Sequence, residues 1–212
     1  MRFSAILAIA ITVAGAATAR TVDIGAGVQI PVCVEPGNES VWTNIQQAQW
    51  IASRMFVPAG ITLEWRKLSE CPDDGIKISF SSATKETDHP GALAYALPYE
   101  GTHIVLFLDR ISVAGKKQLS SLLAHVMVHE ITHIVEGIPH HSTAGIMKAV
   151  FDWDDVRRMS YEPLVFAPED LNLIQEGLKL RRARLAQRRL DLPGANSLTE
   201  SAPREVSQLL PN

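Results

Sequence analysis

Beyond its first 19 residues, the sequence has no apolar run long enough to cross a bilayer, which excludes a later membrane-spanning helix. Linkers rich in glycine and serine are absent, as are internal repeats, so we expect the chain to fold as one domain. A strong charge of either sign is also missing, since 20 Lys and Arg stand against 23 Asp and Glu. This balance gives no reason to expect a nucleic-acid partner.

The first 19 residues have the pattern of a cleaved signal peptide. Arg2 supplies the positive start, residues 3–17 form an uncharged apolar run, and residues 17–19 read Ala-Thr-Ala, which matches a signal peptidase site. A membrane anchor is the alternative, but the run is shorter than the roughly 18 residues of a spanning helix. We therefore expect a secreted or periplasmic monomer without stable membrane insertion. Its domain should span residues 20–190, followed by a disordered tail over residues 191–212.

Hydrophobic periodicity predicts both strands and helices in this domain. A helical apolar stripe ends at the Pro-Ala-Gly break of residues 58–60. A second, longer helix ends before Gly137, which stands where a helix-terminating glycine belongs. The predicted strands are residues 28–34, 61–65, 76–80, 92–97 and 103–108, and the predicted helices are residues 44–57, 119–135 and 168–189.

The helix over residues 119–135 carries the most informative feature, because residues 129–133 read His-Glu-Ile-Thr-His. Residues four apart lie on one helix face, so His129 and His133 can present two imidazole nitrogens to one metal ion. Glu130 lies beside them, where a carboxylate can move protons, and this is the arrangement of zinc metallopeptidases. The alternative is a pair of buried, hydrogen-bonded histidines, but the glutamate in register favours a metal site.

Two further polar residues, His125 and Glu136, extend the same helix face. His125 is about 12 Å from His133 along the helix axis, too far for both to bind one ion. Glu136 is similarly distant from His129. We interpret both as supporting or surface residues, and His125 also fits a hydrogen-bonded core histidine.

A catalytic zinc ion normally has three protein ligands and one open position, so a third ligand must come from outside the helix. The chain turns at Gly137 and reaches His140 and His141 within four residues. In the metzincin pattern H-E-x-x-H-x-x-G-x-x-H, the third histidine follows the glycine by three residues. Counting from Gly137 would select His140, although here the glycine comes one residue later than in that pattern.

Residues 129–147 read HEITHIVEGIPHHSTAGIM and resemble a family of exported metzincin-like metallopeptidases. The family pattern runs H-E-I-G-H, three apolar residues, glycine, three residues and H-S-x-x-G-I-M. The resemblance covers most of residues 45–178. It departs from the pattern at Thr132, where the family has glycine, and at Glu136, where the family has an apolar residue.

The resemblance implies both a ligand set and a fold. It selects His141 over His140 as the third ligand beside His129 and His133, and it places Met147 in a tight methionine turn beneath the metal. It also implies an α+β fold of the zincin and metzincin kind. Such a fold has a mixed, mostly parallel, twisted sheet with an edge strand, an active-site helix and a C-terminal helix.

Cys33 and Cys71 are the only cysteines. In an exported protein two cysteines most simply pair, and closing a loop of this length stabilises the fold by about 4 kcal/mol in the chain-entropy model. The alternative is a free Cys33 whose thiolate caps the metal ion. That alternative would leave Cys71 as an unpaired exported thiol, so we favour the disulfide.

The ligand set predicts a zinc-dependent endopeptidase. Zn²⁺ lowers the pKa of its bound water to about 7, and Glu130 can take the proton as the water attacks a peptide carbonyl. A peptide or protein substrate would lie extended along the edge strand, residues 91–97.

Two alternatives remain: a binding module that kept the metal but lost catalysis, and a metal-dependent amidase acting on cell-wall peptide. The candidates for stabilising the oxyanion are Tyr95, Tyr99, His103 and Tyr161.

Overall fold

The computed structural model describes residues 27–36, 39–87, 89–115 and 117–191 of the 212-residue chain. The predicted signal peptide lies outside this part, and so does the predicted tail apart from Asp191. The elements are the strands β1 (Val28–Val34), β2 (Ile61–Lys67), β3 (Ile76–Ser81), β4 (Ala94–Ala96) and β5 (His103–Phe107), and the helices α1 (Glu39–Phe56), α2 (Leu108–Ala114), α3 (Leu119–Glu136), α4 (Trp153–Arg158) and α5 (Pro168–Asp191).

The five described strands form one mixed sheet in the order β2-β1-β3-β5-β4. All neighbouring pairs are parallel except β4 and β5, which are antiparallel, with Ala94 opposite Leu106 and Ala96 opposite Ile104. Parallel strands need a long crossover connection, and α1 supplies one between β1 and β2. The prediction of a mostly parallel sheet with an edge strand is confirmed, and the architecture is mixed α/β.

The hydrophobic core includes buried residues of the sheet, α1 and α3. The predicted stripe of α1 is buried, as Ile45 and Ala52 show. The helix begins five residues before the predicted start at Asn44. Val41 explains this difference, because it packs half-buried against the same core and extends the stripe by one turn.

Two short helices, α2 and α4, are absent from the sequence-based prediction. The strand predicted to include Leu108 ends at Phe107, because Leu108 begins α2 and is buried with Ile111 one turn later. At the start of α4, the side chains of Asp152 and Asp155 each accept a hydrogen bond from the other residue's backbone N–H. Helices this short bury too few apolar residues for periodicity to reveal them.

Cys33 and Cys71 form a disulfide, with their Cα atoms 5.6 Å apart. The bond ties β1 to the segment that follows β2, so the predicted pairing is confirmed. A free Cys33 thiolate capping a metal is therefore excluded in this state. Within the described ranges, no helix combines the length and apolar character that crossing a membrane requires.

Candidate metal centre

The helix α3 holds the first two predicted ligands in a fixed frame. Nearly every residue from Ser120 to Glu136 is buried, including His129, Glu130 and His133. The helix ends as predicted at Gly137, whose left-handed backbone (φ 73°) lets its N–H bond to the His133 carbonyl. The histidine pair thus lies one to two turns before a defined helix end, on a helix that packing prevents from shifting.

Three imidazoles meet beside this helix: those of His129, His133 and His141. Their potential ligand nitrogens all lie within 4.8 Å of one another. The His141 ring stacks on that of His129 at a centroid distance of 5.3 Å and stands edge-on to that of His133 at 5.0 Å. The structure therefore brings together the three residues that the resemblance selected as ligands.

The hydrogen bonds of His129 and His133 decide which of their nitrogens are free. Nδ1 of His129 lies 2.9 Å from the Ile146 carbonyl oxygen, and Nδ1 of His133 lies 3.3 Å from that of Ile138. A carbonyl can only accept, so each Nδ1 carries the proton and each Nε2 keeps a lone pair. These two Nε2 atoms face each other at 3.1 Å. Two lone pairs at this distance repel unless a cation lies between them, so the donor set fits a metal ion.

Loss of solvation favours the neutral form of all three imidazoles. It lowers the pKa of His129, lowers that of His133 to about 3, and lowers the pKa of the more exposed His141, which the neighbouring His140 lowers further. A metal ligand must offer an unprotonated nitrogen. The site therefore holds its three donors in the protonation state that a metal requires.

Glu130 follows His129 directly on α3 and is buried. Loss of solvation raises the pKa of its carboxyl group to about 8 in the absence of a cation. A nearby divalent cation would act in the opposite direction and favour the carboxylate. The residue lines the same cavity as the histidines, which gives a proton acceptor beside the donor set.

The cavity at the three histidines has a volume of about 460 Å³. Its walls are the edge strand with its flanking residues from Gly91 to Pro98, the middle of α3, and the segment from Pro139 to Phe151. A larger cavity of about 960 Å³ lies between α1, the start of α3 and residues 159–166, and it contains none of the predicted ligands. The donor atoms, and not the volume, identify the candidate site.

His140, the alternative third ligand, does not join the three imidazoles. Its Nε2 lies 3.3 Å from the Ser142 hydroxyl and 3.8 Å from a carboxylate oxygen of Asp170. With Glu169 and Asp170 it forms a separate group of potential donor atoms within 4.8 Å of one another. The two neighbouring histidines therefore point to different surroundings.

Of the four candidates for stabilising an oxyanion, Tyr95 lines the cavity beside His129 and Glu130. Its ring stacks on His89 at 4.4 Å, which fixes its orientation. The other three do not line this cavity. Tyr161 borders the larger cavity, His103 lies 2.9 Å from a carboxylate oxygen of Glu100 at the start of β5, and Tyr99 is exposed.

His125 is a hydrogen-bonded core histidine, one of the two interpretations offered above. It is fully buried, with Nδ1 2.7 Å from the Ser121 carbonyl and Nε2 accepting from the Leu164 N–H at 3.0 Å. Burial lowers the pKa of this imidazole to about 4, so it stays neutral. It joins α3 to the segment that precedes α5.

Glu136 is buried and not a surface residue, with 4% of its surface exposed. Among the described residues, neither of its carboxylate oxygens has a hydrogen-bond partner. Burial, and to a lesser degree the charge of Asp170, raises the pKa of Glu136 to about 8. The helical spacing placed this residue on the correct face but could not reveal that α5 covers that face.

Glu136→Met is expected to stabilise the protein most at alkaline pH. The carboxyl group of Glu136 releases its proton near pH 4.5 in the unfolded chain and near pH 8 in the folded protein. The free energy of unfolding is therefore highest below pH 4.5 and falls as the pH rises toward 8. Removing the carboxyl group should raise the free energy of unfolding at pH 8 by about 2–4 kcal/mol. Urea denaturation at pH 5 and pH 8, with saturating zinc, measures the difference. The exposed Glu176→Met is the control, and an equal gain in that variant would contradict the prediction.

The segment after His141 forms a turn that supports the histidines. Met147 is fully buried in this turn, and its carbonyl accepts the Ser142 N–H at 2.8 Å. Gly145 adopts φ 79°, and a methyl group there would lie well inside contact distance of the Val165 carbonyl oxygen. A side chain at this position would therefore displace the turn from the segment behind it.

Gly145→Ala is expected to lower the free energy of unfolding by about 2–4 kcal/mol, from backbone strain and from the clash together. Gly60→Ala is a matched control. Gly60 has a similar φ of 69°, but its added methyl would meet nothing within 4 Å. Thermal or urea denaturation of both variants separates strain from clash. Equal losses in the two variants would show that the contact with Val165 has no energetic role.

Sequence reasoning missed Ser142, Asp170 and the Ile146 carbonyl as parts of this site. Ser142 and Ile146 stand in the H-S-x-x-G-I-M segment, in which the resemblance gives roles only to the third ligand and the methionine. Asp170 is 28 residues further along the chain from Ser142, and no local pattern links the two. Fold contacts alone bring them together.

No protein-family model matches the chain, and no curated protein matches it. Among 30 matching chains of solved structure, archaemetzincin from Methanopyrus kandleri has a TM-score of 0.49 and 11% sequence identity, covering 73% of this chain and 97% of that one. Archaemetzincin from Archaeoglobus fulgidus, complexed with malonate, has a TM-score of 0.47 and 15% identity, covering 69% and 100%. The family resemblance stays a prediction, and the site rests on its own geometry.

Proposed function

We infer that the protein is a zinc-dependent endopeptidase with His129, His133 and His141 as metal ligands. One observation carries this proposal: the two unprotonated Nε2 atoms of His129 and His133 face each other at 3.1 Å, with His141 completing the group. Three neutral imidazoles are a known ligand set for catalytic zinc, which leaves a position open for water or substrate.

When bound, zinc supplies Lewis-acid chemistry, which makes a water molecule more acidic and polarises a carbonyl group. Glu130 is the proposed general base. It is adjacent to His129, borders the cavity and is not a member of the three-donor group. Its carboxylate would take a proton from the attacking water and return it to the departing amine.

A polypeptide substrate would pair with the outer edge of β4. Among the described strands β4 ends the sheet, and its residues Ala94, Tyr95 and Ala96 line the cavity that holds the histidines. An extended peptide can add to such an edge through backbone hydrogen bonds, so we expect a preference for peptides over other amides. Tyr95 is the proposed hydrogen-bond donor to the substrate carbonyl oxygen, since it is the one candidate of the four at the cavity.

Export and a monomeric state belong to the same proposal. The disulfide between Cys33 and Cys71 fits an oxidising compartment, where such bonds form and persist. The predicted signal peptide over residues 1–19 would deliver the chain to that compartment.

The test uses purified protein and an unfolded, fluorescently labelled protein substrate. We expect one zinc ion per chain, cleavage to peptides, loss of cleavage with a chelator and recovery with added zinc. Zinc binding without cleavage would instead support a binding module. Activity on cell-wall peptide but not on unfolded protein would support an amidase.

A further inference from the structure

We propose that Ser142 and Asp170 are positioning residues, which hold the His141 imidazole against the two histidines of α3. The inference rests on the proposed function, because it concerns the third ligand of that metal site. These two residues join the loop after α3 to the first turn of α5.

His141 needs such support more than the other two ligands do. The rings of His129 and His133 are buried and fixed through Nδ1 by the Ile146 and Ile138 carbonyls. His141 is exposed, and within the described residues its ring makes no hydrogen bond. Apart from its contacts with those two rings, its position depends on the backbone of its own loop, which is the backbone that Ser142 anchors.

The anchor is a buried hydrogen bond to a carboxylate. Ser142 donates its hydroxyl proton to Oδ1 of Asp170, and the Ala167 N–H donates to Oδ2 at 2.8 Å. Asp170 is completely buried and Ser142 nearly so. A hydrogen bond to a charged group in such surroundings is among the strong ones, and losing one partner is costly. The loop is thus fastened to α5 one residue after His141.

The anchored loop also holds His129, one of the two ligands on α3. The Ser142 N–H bonds to the Met147 carbonyl, which closes the turn, and the Ile146 N–H bonds to the Val165 carbonyl at 3.0 Å. The carbonyl of Ile146 in turn accepts the Nδ1 proton of His129. One small turn therefore sets both the place of His141 and the tautomer of His129.

The same pair of residues also explains the orientation of His140. Because Ser142 gives its proton to Asp170, its oxygen is free to accept from Nε2 of His140 at 3.3 Å. The bond directs His140 toward α5, while His141 faces α3. The Ser142–Asp170 pair thus accounts for why the two neighbouring histidines take opposite directions.

The first experiment measures zinc affinity by competition with a chromophoric chelator. Ser142→Ala is expected to weaken zinc binding about 10–100-fold, the usual cost of losing a group that orients a ligand. Thr143→Ala is the matched control, because it removes a hydroxyl from the exposed neighbouring residue of the same loop. Asp170→Asn keeps the volume of the side chain and should weaken zinc binding in the same direction.

A spectroscopic readout separates positioning from general stability. With saturating cobalt(II) in place of zinc, Ser142→Ala should change the visible absorption of the metal, because His141 no longer holds its place as a ligand. Thr143→Ala should reproduce the wild-type spectrum. Circular dichroism identifies any variant that fails to fold, and Asp170→Asn then replaces Ser142→Ala.

Amide hydrogen exchange of the metal-free proteins tests the anchor independently of the metal. Faster exchange at the backbone amides of residues 142 and 146 in Ser142→Ala, but not in Thr143→Ala, supports the inference. Unchanged exchange, or zinc affinity equal to that of Thr143→Ala, overturns it. Absence of zinc binding by the wild-type protein would instead refute the proposed function, and the exchange measurement would still decide the role of Ser142.

Discussion

Glu130→Gln is expected to keep the bound zinc and to lose peptidase activity by about 10²–10⁴-fold, the usual contribution of a general base. The amide has nearly the shape of the carboxyl group, so the packing of α3 should persist. It cannot accept a proton from water at neutral pH. The loss should appear in kcat, because the substrate still meets the same edge strand and the same three imidazoles.

The measurement combines zinc content with the rate of cleavage of the labelled protein. Glu136→Gln is a matched control, since it removes a buried carboxyl group from the same helix two turns away. That variant should retain activity near the wild-type level. Wild-type turnover by Glu130→Gln at full zinc occupancy would remove Glu130 from the mechanism, and equal losses in both variants would indicate damage to α3.

The parts of the site that the sequence predicts are those set by spacing along one helix. His129, Glu130 and His133 lie within five residues, and the geometry of a helix fixes their relative positions without any knowledge of the fold. The end of α3 at Gly137 was predictable for the same reason, since a left-handed residue is needed there. Local rules therefore give two donors, the proposed base and the point where the chain turns back.

Burial could not be predicted in the same way. Glu136 was expected to support the site or face solvent, but the end of α3 packs against α5. Gly177 of α5 approaches so closely that an added methyl group would overlap the Val135 carbonyl. Gly177 follows Glu136 by 41 positions in the chain. No periodicity within α3 carries that information, so the cost of burying Glu136 emerges only from the fold.

The choice between His140 and His141 depends partly on spacing along the chain and partly on the fold. Both follow the same turn, and helix geometry ends at Gly137, so spacing alone left both available. A family resemblance selected His141. The fold supplies a physical reason in the contact of Ser142 with Asp170, which comes from the next helix. Sequence identifies the pair of candidates, and the loop anchored on α5 separates them.

His141→Ala is expected to weaken zinc binding by about 100-fold, whereas His140→Ala should stay close to wild type. Four-ligand structural zinc sites bind with about 10–16 kcal/mol, or roughly 3 kcal/mol per ligand, which corresponds to a factor of about 100. His140 is the matched control because it is the adjacent residue with the same ring, directed toward Ser142 and Asp170.

Chelator competition measures both affinities, and cobalt(II) absorption reports the change of ligands. If His140→Ala weakened zinc binding more than His141→Ala did, His140 would be the third ligand. The loop would then have to change conformation to direct His140 toward α3. That movement would break the bond between Ser142 and Asp170, so hydrogen exchange at Ser142 would rise when zinc binds. With His141 as the ligand, zinc should instead slow exchange at Ser142, because the metal and the Asp170 contact then hold the same conformation of the loop.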